Sequence, residues 1–243
     1  MRPRRLLLGV VAAAALFALV GALARWRGGP RARSHRATVA QASCPTGRLA
    51  GPVARLLNRA NRGMAAETLD AAGDPGDRLL DVGFGGGALM RLALERHSRL
   101  RVAGLEPSPE MVSRAQREFA DEIAAGRVDV RAGAIEDIPW ADGAFSTLVT
   151  MNTPYFWRDR GRALAEISRV LGPGGKVLIA LPSEEMQRRL GLDAVGHELV
   201  DPDELAESMR AAGFERVETA TMAVERRRSA VLITARAPYT RRG

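Results

Sequence analysis

The stretch Leu79-Leu80-Asp81-Val82-Gly83-Phe84-Gly85-Gly86-Gly87-Ala88-Leu89 decides how this chain folds. A short apolar run contains an acid near its end, a cluster of glycines follows, and an apolar pattern with helical spacing begins at once. This order predicts a buried β-strand that turns sharply into an α-helix. Because glycine has no Cβ, the backbone of the turn can approach a ligand closely, and the helix that follows presents unpaired N–H groups there. The stretch therefore predicts a binding corner for a nucleoside.

Two nucleoside cofactors fit this corner. Gly83, Gly85 and Ala88 loosely match the pattern G-x-G-x-x-A of dinucleotide sites. Asp81, Gly83, Gly85 and Gly87 completely fill the order acid-x-Gly-x-Gly-x-Gly of S-adenosylmethionine sites. A glycine-rich turn without any ligand is the third interpretation, since a lone motif is weak.

The residues after the corner support a cofactor. Residues 101–105 predict a second strand that ends at Glu106, about 20 residues past the glycines, where a carboxylate can accept hydrogen bonds from ribose hydroxyls. The alternative is a solvated charge at a strand end. Ser108 is a suitable N-cap and Pro109 suits the first helical position, so one helix is predicted to start there and to run through Ile123.

The next strands predict further contacts at the same edge of the sheet. After a third strand at residues 127–131, Ile135 is expected to pack on the face of a purine. Residues 144–151 predict a fourth strand, and Asn152 opens a polar and aromatic segment at its carboxyl end, where ligands bind in open α/β sheets. We expect at least one aromatic side chain of residues 155–157 to pack under a loop instead.

Strands and helices continue to alternate towards the C-terminus. A helix at residues 160–171 ends at the turn Gly172-Pro173-Gly174-Gly175, and a strand at 176–181 follows. A helix begins at Asp201, and two strands at 216–224 and 229–237 are joined by a short charged turn. The pattern predicts an α/β fold with a mostly parallel sheet, helices on both faces and a terminal antiparallel hairpin.

The segment before the corner predicts two helices. Apolar residues recur at helical spacing over residues 51–72 and are interrupted by Gly63. The pairs Asn58-Arg59 and Asn61-Arg62 are unusually polar within this frame. Either they form a lid over the cofactor or substrate, or they are the solvated face of an amphipathic helix.

Charge is distributed unevenly along the 243 residues. The net charge is +8, yet residues 1–66 contain twelve Arg and no acid, which leaves 24 basic and 28 acidic residues in the remainder. The folded part is therefore slightly acidic, and the basic excess does not indicate nucleic-acid binding. Cys44 is the only cysteine, so an intramolecular disulfide and a cysteine-based metal site are excluded.

The N-terminus predicts membrane attachment. Residues 6–24 are uncharged and close to the ~20 residues that cross a bilayer as a helix. Arginines follow the run within residues 25–36, which favours a single-pass anchor with the enzyme domain in the cytoplasm. A cleaved or targeting signal and an overextended reading frame are the alternatives. The expected organisation is an anchor or signal at 1–24, an Arg- and Gly-rich linker at 25–47 and one domain at 48–239.

Taken together, these motifs resemble the class I S-adenosylmethionine-dependent methyltransferases over roughly residues 47–237. Four stretches carry the resemblance: the acid-and-glycine corner, Gly104-Leu105-Glu106-Pro107-Ser108-Pro109-Glu110-Met111, Ile135-Glu136-Asp137-Ile138-Pro139-Trp140, and Arg169-Val170-Leu171-Gly172-Pro173-Gly174-Gly175. More narrowly, Leu57-Asn58-Arg59 and Asn152-Thr153-Pro154-Tyr155-Phe156-Trp157 look like those of a bacterial subgroup. One departure is Phe145-Ser146, where members commonly carry Phe-Asp.

The resemblance implies a Rossmann-like sheet of seven strands, the last antiparallel, and a role for each matching residue. Asp81, Gly83, Gly85 and Gly87 would surround the methionine part, Glu106 would hold the ribose, Pro107 and Met111 would border the nucleoside, Ile135 would lie by adenine, and Asn152 would line the methyl-donor end. His197 or Tyr155 could deprotonate an acceptor, although a surface histidine and a packed tyrosine are the plainer interpretation of each. An activated sulfonium methyl group mainly needs a close, aligned nucleophile, so a dedicated base is optional.

The sequence thus predicts methyl transfer to a small molecule, with a lipophilic acceptor if the anchor is real. A nicotinamide-dependent oxidoreductase is the alternative from another enzyme class. A membrane-tethered module that binds S-adenosylmethionine without catalysis is the third.

Overall fold

A computed structural model describes residues 50–189, 191–193, 197–222 and 230–239. Strands and helices alternate along most of this length, as the apolar periodicities predict. The helices are α1 Ala50–Ala72, α2 Ala88–Arg96, α3 Pro109–Glu118, α4 Ala120–Ala124, α5 Arg160–Val170, α6 Glu184–Arg189 and α7 Pro202–Ala211. The strands are β1 Arg78–Val82, β2 Arg101–Glu106, β3 Val128–Ala132, β4 Phe145–Met151, β5 Leu171–Pro182, β6 Glu215–Met222 and β7 Ala230–Arg236.

The seven strands form one sheet in the order β3-β2-β1-β4-β5-β7-β6. Strands β1 to β5 pair in parallel, and β7 is antiparallel to both β5 and β6. The predicted mixed sheet is therefore confirmed, with β7 inserted between β5 and β6. The strand order changes direction between the parallel neighbours β1 and β4, because β2 and β3 lie on one side of β1 and the later strands lie on the other. In open α/β sheets, ligands bind beyond the carboxyl ends of the strands at such a point.

Each central strand buries both of its faces, because successive side chains point to opposite sides of a sheet. Leu79 belongs to the core under α1, α2 and α3, whereas its neighbour Leu80 belongs to the core under α5 and α7. In β4, Val149 belongs to the same core as Leu79, and Leu148 belongs to the same core as Leu80. Helices therefore cover both faces of the sheet, as expected.

The structure corrects two predicted helix boundaries. α1 runs without a break through Gly63, since the burial of Ala65 and Leu69 on one face outweighs the roughly 1 kcal/mol that an interior glycine costs. The helix that was predicted to continue to Ile123 instead ends at Glu118, because Phe119 leaves the helical conformation and turns its ring into the core.

The structure also extends β5 and adds two short helices. The predicted turn at residues 172–175 is the beginning of β5, where the Gly174 N–H donates to Ala237 O and the Ala237 N–H donates to Gly175 O. Gly174 nevertheless keeps a left-handed φ of 68°, and the register between β4 and β5 shifts at this point, so the predicted turn is an irregularity within the first part of β5. Helix α6 and the 3-10 helix Pro154–Phe156 had no clear apolar period in the sequence.

Ser146 explains why the departure from the family pattern is tolerated. Its Oγ accepts hydrogen bonds from the N–H groups of Asp77 and Arg78, at 3.2 and 3.4 Å, and so fixes the loop before β1. This contact lies at the amino edge of the sheet, opposite to the glycine corner.

The predicted anchor at residues 6–24 and linker at 25–47 lie outside the described residues, as do Cys44 and the predicted hairpin turn at 225–228. Within the described ranges, no helix combines the length and the apolar character needed to cross a membrane.

Candidate cofactor and acceptor site

The glycine corner has the left-handed backbone that its sequence predicts. Gly83, Gly85 and Gly87 have φ of 73°, 51° and 79°. A Cβ on Gly83 would collide with Thr153 Cγ2, and one on Gly87 would lie 3.1 Å from the ring of Phe119. A Cβ on Gly85 would meet open space, with the Gly83 carbonyl oxygen 4.0 Å away as its nearest neighbour. Gly85 is therefore the glycine that leaves room for a ligand.

Glu106 is fixed against this corner by two backbone groups. Its Oε2 accepts from the Gly85 N–H at 3.0 Å and its Oε1 accepts from the Ser108 N–H at 3.1 Å. The side chain is buried, and burial raises its pKa against the lowering effect of both hydrogen bonds. Each carboxylate oxygen keeps further lone pairs, so Glu106 can accept additional hydrogen bonds, and its contact with a ribose stays a prediction.

Asp81 has the most strongly shifted pKa of the carboxylates at the corner. It is only 2% exposed in β1, and its Oδ2 has no hydrogen-bond partner among the described residues. Burial, and secondarily the charge of Glu106, raises its pKa to about 8. Buried polar atoms are normally paired, so an unpaired carboxylate oxygen beside a glycine corner fits a cationic ligand.

Binding of a cationic ligand is expected to depend on pH through Asp81. Since only the ionised carboxylate pairs with an ammonium, S-adenosylmethionine affinity should fall as pH drops below about 8, approaching about tenfold per pH unit. Asp81→Asn should remove this dependence and weaken binding at pH 8 by roughly 10- to 100-fold, as expected for a lost charged hydrogen bond. Calorimetric titrations from pH 6 to 8 measure both effects, and this range stays below the pH at which the amino group of the ligand is mostly neutral. An identical pH dependence in Asp81→Asn would contradict the assignment.

The remaining predicted cofactor residues do not all meet at one surface. Pro107 is exposed directly after Glu106, at the mouth of the corner. Met111 and Ile135 are 1% and 6% exposed and pack in the two cores on opposite faces of the sheet. Their contacts with a nucleoside stay predictions.

Asn152 lies at the carboxyl end of β4 with a strained backbone. Its φ is 58°, unusual for a residue with a side chain, and its N–H donates to Ala180 O of β5 at 2.9 Å. Its Nδ2 donates to Asn61 Oδ1 at 3.4 Å. Strained residues of this kind persist where the surroundings hold them and are frequent at functional sites.

Helix α1 closes over the corner with its asparagines and not with its arginines. Asn58 Nδ2 donates to Gly86 O at 2.7 Å, and Asn61 contacts Asn152. Arg59 and Arg62 are exposed. Both alternatives from the sequence are thus partly right: the asparagines reach the site and the arginines form the solvated face.

Removing the Asn58 contact should loosen the corner. Asn58→Ala is expected to weaken S-adenosylmethionine binding by about 2- to 10-fold, the value of one hydrogen bond of about 0.5–1.5 kcal/mol. Arg59→Ala, its exposed neighbour, is the matched control and should leave affinity unchanged. Calorimetry measures the affinity of both variants for S-adenosylmethionine. If Asn58→Ala binds as tightly as Arg59→Ala, the Asn58 contact plays no part in binding.

Sequence reasoning missed a chain of side-chain hydrogen bonds that links the end of β1 to the segment after β4. Trp157 Nε1 donates to Thr153 Oγ1 at 3.2 Å, Thr153 bonds Thr150, and Thr150 Oγ1 donates to Val82 O at 2.9 Å. Together with the Thr153 methyl group against Gly83, this chain joins the ends of β1 and β4. No spacing rule identifies such a chain, because its members pair through the fold.

Comparison with known proteins agrees with this geometry. Residues 80–179 match a methyltransferase domain family. The ubiquinone/menaquinone biosynthesis C-methyltransferase UbiE of Geotalea daltonii is 33% identical over 124 residues, which cover 51% of this chain and 52% of that protein. This chain therefore matches about half the length of that relative.

Two solved structures share the fold. A Haloferax volcanii methyltransferase in complex with the Trm112 methyltransferase activator has a TM-score of 0.63 at 22% identity, over 75% of this chain and 92% of that one. The geranyl diphosphate C-methyltransferase of Streptomyces coelicolor A3(2), solved with S-adenosylhomocysteine, has a TM-score of 0.62 at 18% identity, over 79% and 87%.

The fold and the site define a nucleoside-binding α/β protein. In its sheet, the antiparallel strand β7 lies between β5 and β6. The chain carries a class I S-adenosylmethionine-dependent methyltransferase domain, and S-adenosylmethionine is the cofactor of this domain. The sequence-based prediction of this class is confirmed, and the nicotinamide alternative finds no support.

Proposed function

We propose that this protein transfers a methyl group from S-adenosylmethionine to a small, lipophilic acceptor. One observation carries the proposal: a buried carboxylate with an unpaired oxygen, Asp81, stands beside a glycine corner that Glu106 already orders through Gly85. This arrangement suits a ligand that bears positive charge and a ribose, as S-adenosylmethionine does.

The side chains of the site mainly position the methyl donor and the acceptor and take little part in the chemical step. S-adenosylmethionine supplies a methyl group that its sulfonium already activates. Glu106 would fix the sugar, the open space at Gly85 would admit the ligand, and Asn152 would mark the side from which an acceptor approaches. Holding donor and nucleophile in line can account for about 7–11 kcal/mol of the barrier, so positioning alone supplies a large acceleration.

Two observations support a lipophilic acceptor. The uncharged run at residues 6–24, followed by arginines, has the pattern of a membrane anchor with its domain on the cytoplasmic side. The name of the UbiE relative concerns the biosynthesis of lipophilic quinones, and that of the Streptomyces neighbour concerns geranyl diphosphate, which joins an apolar prenyl chain to a charged diphosphate. An anchored active site would meet such acceptors at the bilayer surface.

Methyl transfer from labelled S-adenosylmethionine into a lipid extract and a water-soluble extract tests the proposal. The full chain should label a product in the lipid extract. Label only in the water-soluble extract would overturn the lipophilic acceptor, and no label in either, with S-adenosylmethionine bound, would favour the non-catalytic module.

Protease protection on membrane vesicles tests the anchor and its orientation. The domain should sediment with the vesicles and be digested from the cytoplasmic side. A domain that stays in the supernatant, or that is protected from cytoplasmic protease, would contradict the proposed localisation.

A further inference from the structure

The amino-terminal half of α1 has two neighbouring faces with different surroundings. Asn58 and Asn61 share one face, because residues three positions apart are neighbours on a helix surface, and they contact the glycine corner and Asn152. Arg59 and Arg62 share the next face, which lies about 100° further round the helix because each residue adds that angle. Both arginines are exposed. This arginine face, formed by Arg59 and Arg62, therefore lies beside the contacts with the site and is open to the outside.

The arginine face lacks acidic partners in the described part of the chain. Neither Arg59 nor Arg62 forms an ion pair with a described carboxylate, and the first acid of the sequence is Glu67. Arginines on other helices do pair with carboxylates: Arg91 and Arg114 with Glu118, Arg96 with Asp70, Arg169 with Glu166 and Arg210 with Glu207. The positive charge of the arginine face is thus not balanced by a neighbouring acid, and it attracts anions from outside.

The sequence before α1 indicates which anion this face meets. Residues 25–49, which separate the uncharged run at 6–24 from α1, contain six arginines and no acid. The acid-free, basic stretch therefore continues from the proposed anchor directly into the exposed face of α1. Basic residues next to a membrane are attracted to anionic lipids, at about fivefold in affinity for each residue close to the surface. The short chain distance from the anchor favours a lipid surface over a soluble anion.

We propose that the arginine face of α1 docks on an anionic phospholipid surface and holds the site beside the bilayer. Guanidinium groups suit this partner, because their planar fork donates paired hydrogen bonds to phosphate oxygens. The inference rests on the proposed anchor and methyl transfer, and it adds the surface of the domain that meets the membrane and the lipid chemistry that the surface recognises.

Docking on this face orients the site towards the membrane. The asparagine face adjoins the arginine face on the same two turns of α1, so the lipid surface would lie next to the corner and to Asn152. A lipophilic acceptor could then pass from the bilayer to the site along the side of α1, without crossing bulk water.

A single labelled cysteine in the full chain tests the contact. Cys44→Ser removes the only native cysteine, and Gly63→Cys places a fluorescent label at an exposed helical position next to Arg62. In vesicles of phosphatidylcholine and phosphatidylserine, a lipid with a nitroxide on its headgroup should quench this label strongly. Ala211→Cys, at the exposed end of α7, is the matched control. Its label should be quenched little, because α7 packs on the other face of the sheet.

Charge reversal separates docking from anchoring. Arg59→Glu combined with Arg62→Glu should lower the ratio of docked to undocked protein by about 30-fold or more, and quenching at position 63 should fall accordingly. Arg99→Glu combined with Arg101→Glu is the matched control, since both residues are exposed, lack an ion pair with a described acid and lie at the amino edge of the sheet. This control should keep the quenching. Both double variants should bind S-adenosylmethionine with similar affinity, which shows that they are folded.

Three results would each overturn the docking surface: equal quenching at positions 63 and 211, equal quenching at position 63 in vesicles of phosphatidylcholine alone, and full quenching after reversal of Arg59 and Arg62. Shielding of the label at position 63 without vesicles, increasing with protein concentration, would assign this face to a second copy of the chain instead. If the chain still sediments with the vesicles and binds S-adenosylmethionine, the anchor and the proposed function stand without the docking surface. A chain that stays in the supernatant of both kinds of vesicle would contradict the anchor as well.

Discussion

Gly85→Val is expected to weaken S-adenosylmethionine binding by roughly 100-fold or more while the protein stays folded. The residue has a φ of 51° and open space where a Cβ would lie, so the valine side chain would project into the room left for the ligand. The left-handed backbone adds about 1–2 kcal/mol of strain. For a domain of this size, such strain lowers the melting temperature by roughly 2–8 °C. Calorimetric titration and a thermal melt measure the two effects.

Gly73→Val is the matched control. Gly73 has a φ of 60° and also has open space around a Cβ, but it follows α1 at the amino edge of the sheet, away from the corner. The control should show a similar loss of thermal stability with normal affinity. If both variants bind S-adenosylmethionine equally well, the corner is not the cofactor site.

Glu106→Ala is expected to combine a large loss of affinity with a loss of stability. Two ribose hydrogen bonds to a carboxylate, each of about 1.5–3 kcal/mol, would be removed, which corresponds to more than roughly 100-fold in affinity. The N–H groups of Gly85 and Ser108 would also lose their acceptor, at a cost of about 1–3 kcal/mol for each that stays buried. Calorimetry and chemical denaturation separate these contributions.

Glu106→Gln keeps the shape of the side chain and one of its acceptors. It should recover part of the stability but little of the affinity, since its amide nitrogen cannot accept from a ribose hydroxyl. Wild-type affinity in both the alanine and the glutamine variant would remove Glu106 from the site.

The sequence was most informative where backbone conformation dictates residue type. Only glycine adopts left-handed φ readily, so Gly83, Gly85 and Gly87 could be assigned to a turn before any coordinates were known. The apolar runs of β1 and β4 likewise predicted strands that are buried on both faces, which is the pattern of a parallel sheet. These local rules predicted the α/β class with a mostly parallel sheet, whereas the cofactor was implied by the resemblance to the methyltransferases. The sheet and the cofactor are confirmed, and the predicted N-terminal hydrophobic helix lies outside the described residues.

Contacts between distant segments could not be predicted in the same way. Asn58 meets Gly86 across 28 positions, and Asn61 meets Asn152 across 91. Helical spacing fixes which side of α1 these asparagines share, but not which loop the helix covers. His197 was a candidate from the sequence, yet its contacts with aromatic rings depend on a loop that the buried amide of Gln187 holds in place by hydrogen bonds.

Calorimetric titration of S-adenosylmethionine into the full-length chain at pH 8, with NAD as the comparison ligand, tests the central claim most directly. We expect S-adenosylmethionine to bind with a stoichiometry of one and NAD to give no signal. Absence of heat with S-adenosylmethionine at millimolar concentration, or tighter binding of NAD, would contradict the cofactor site.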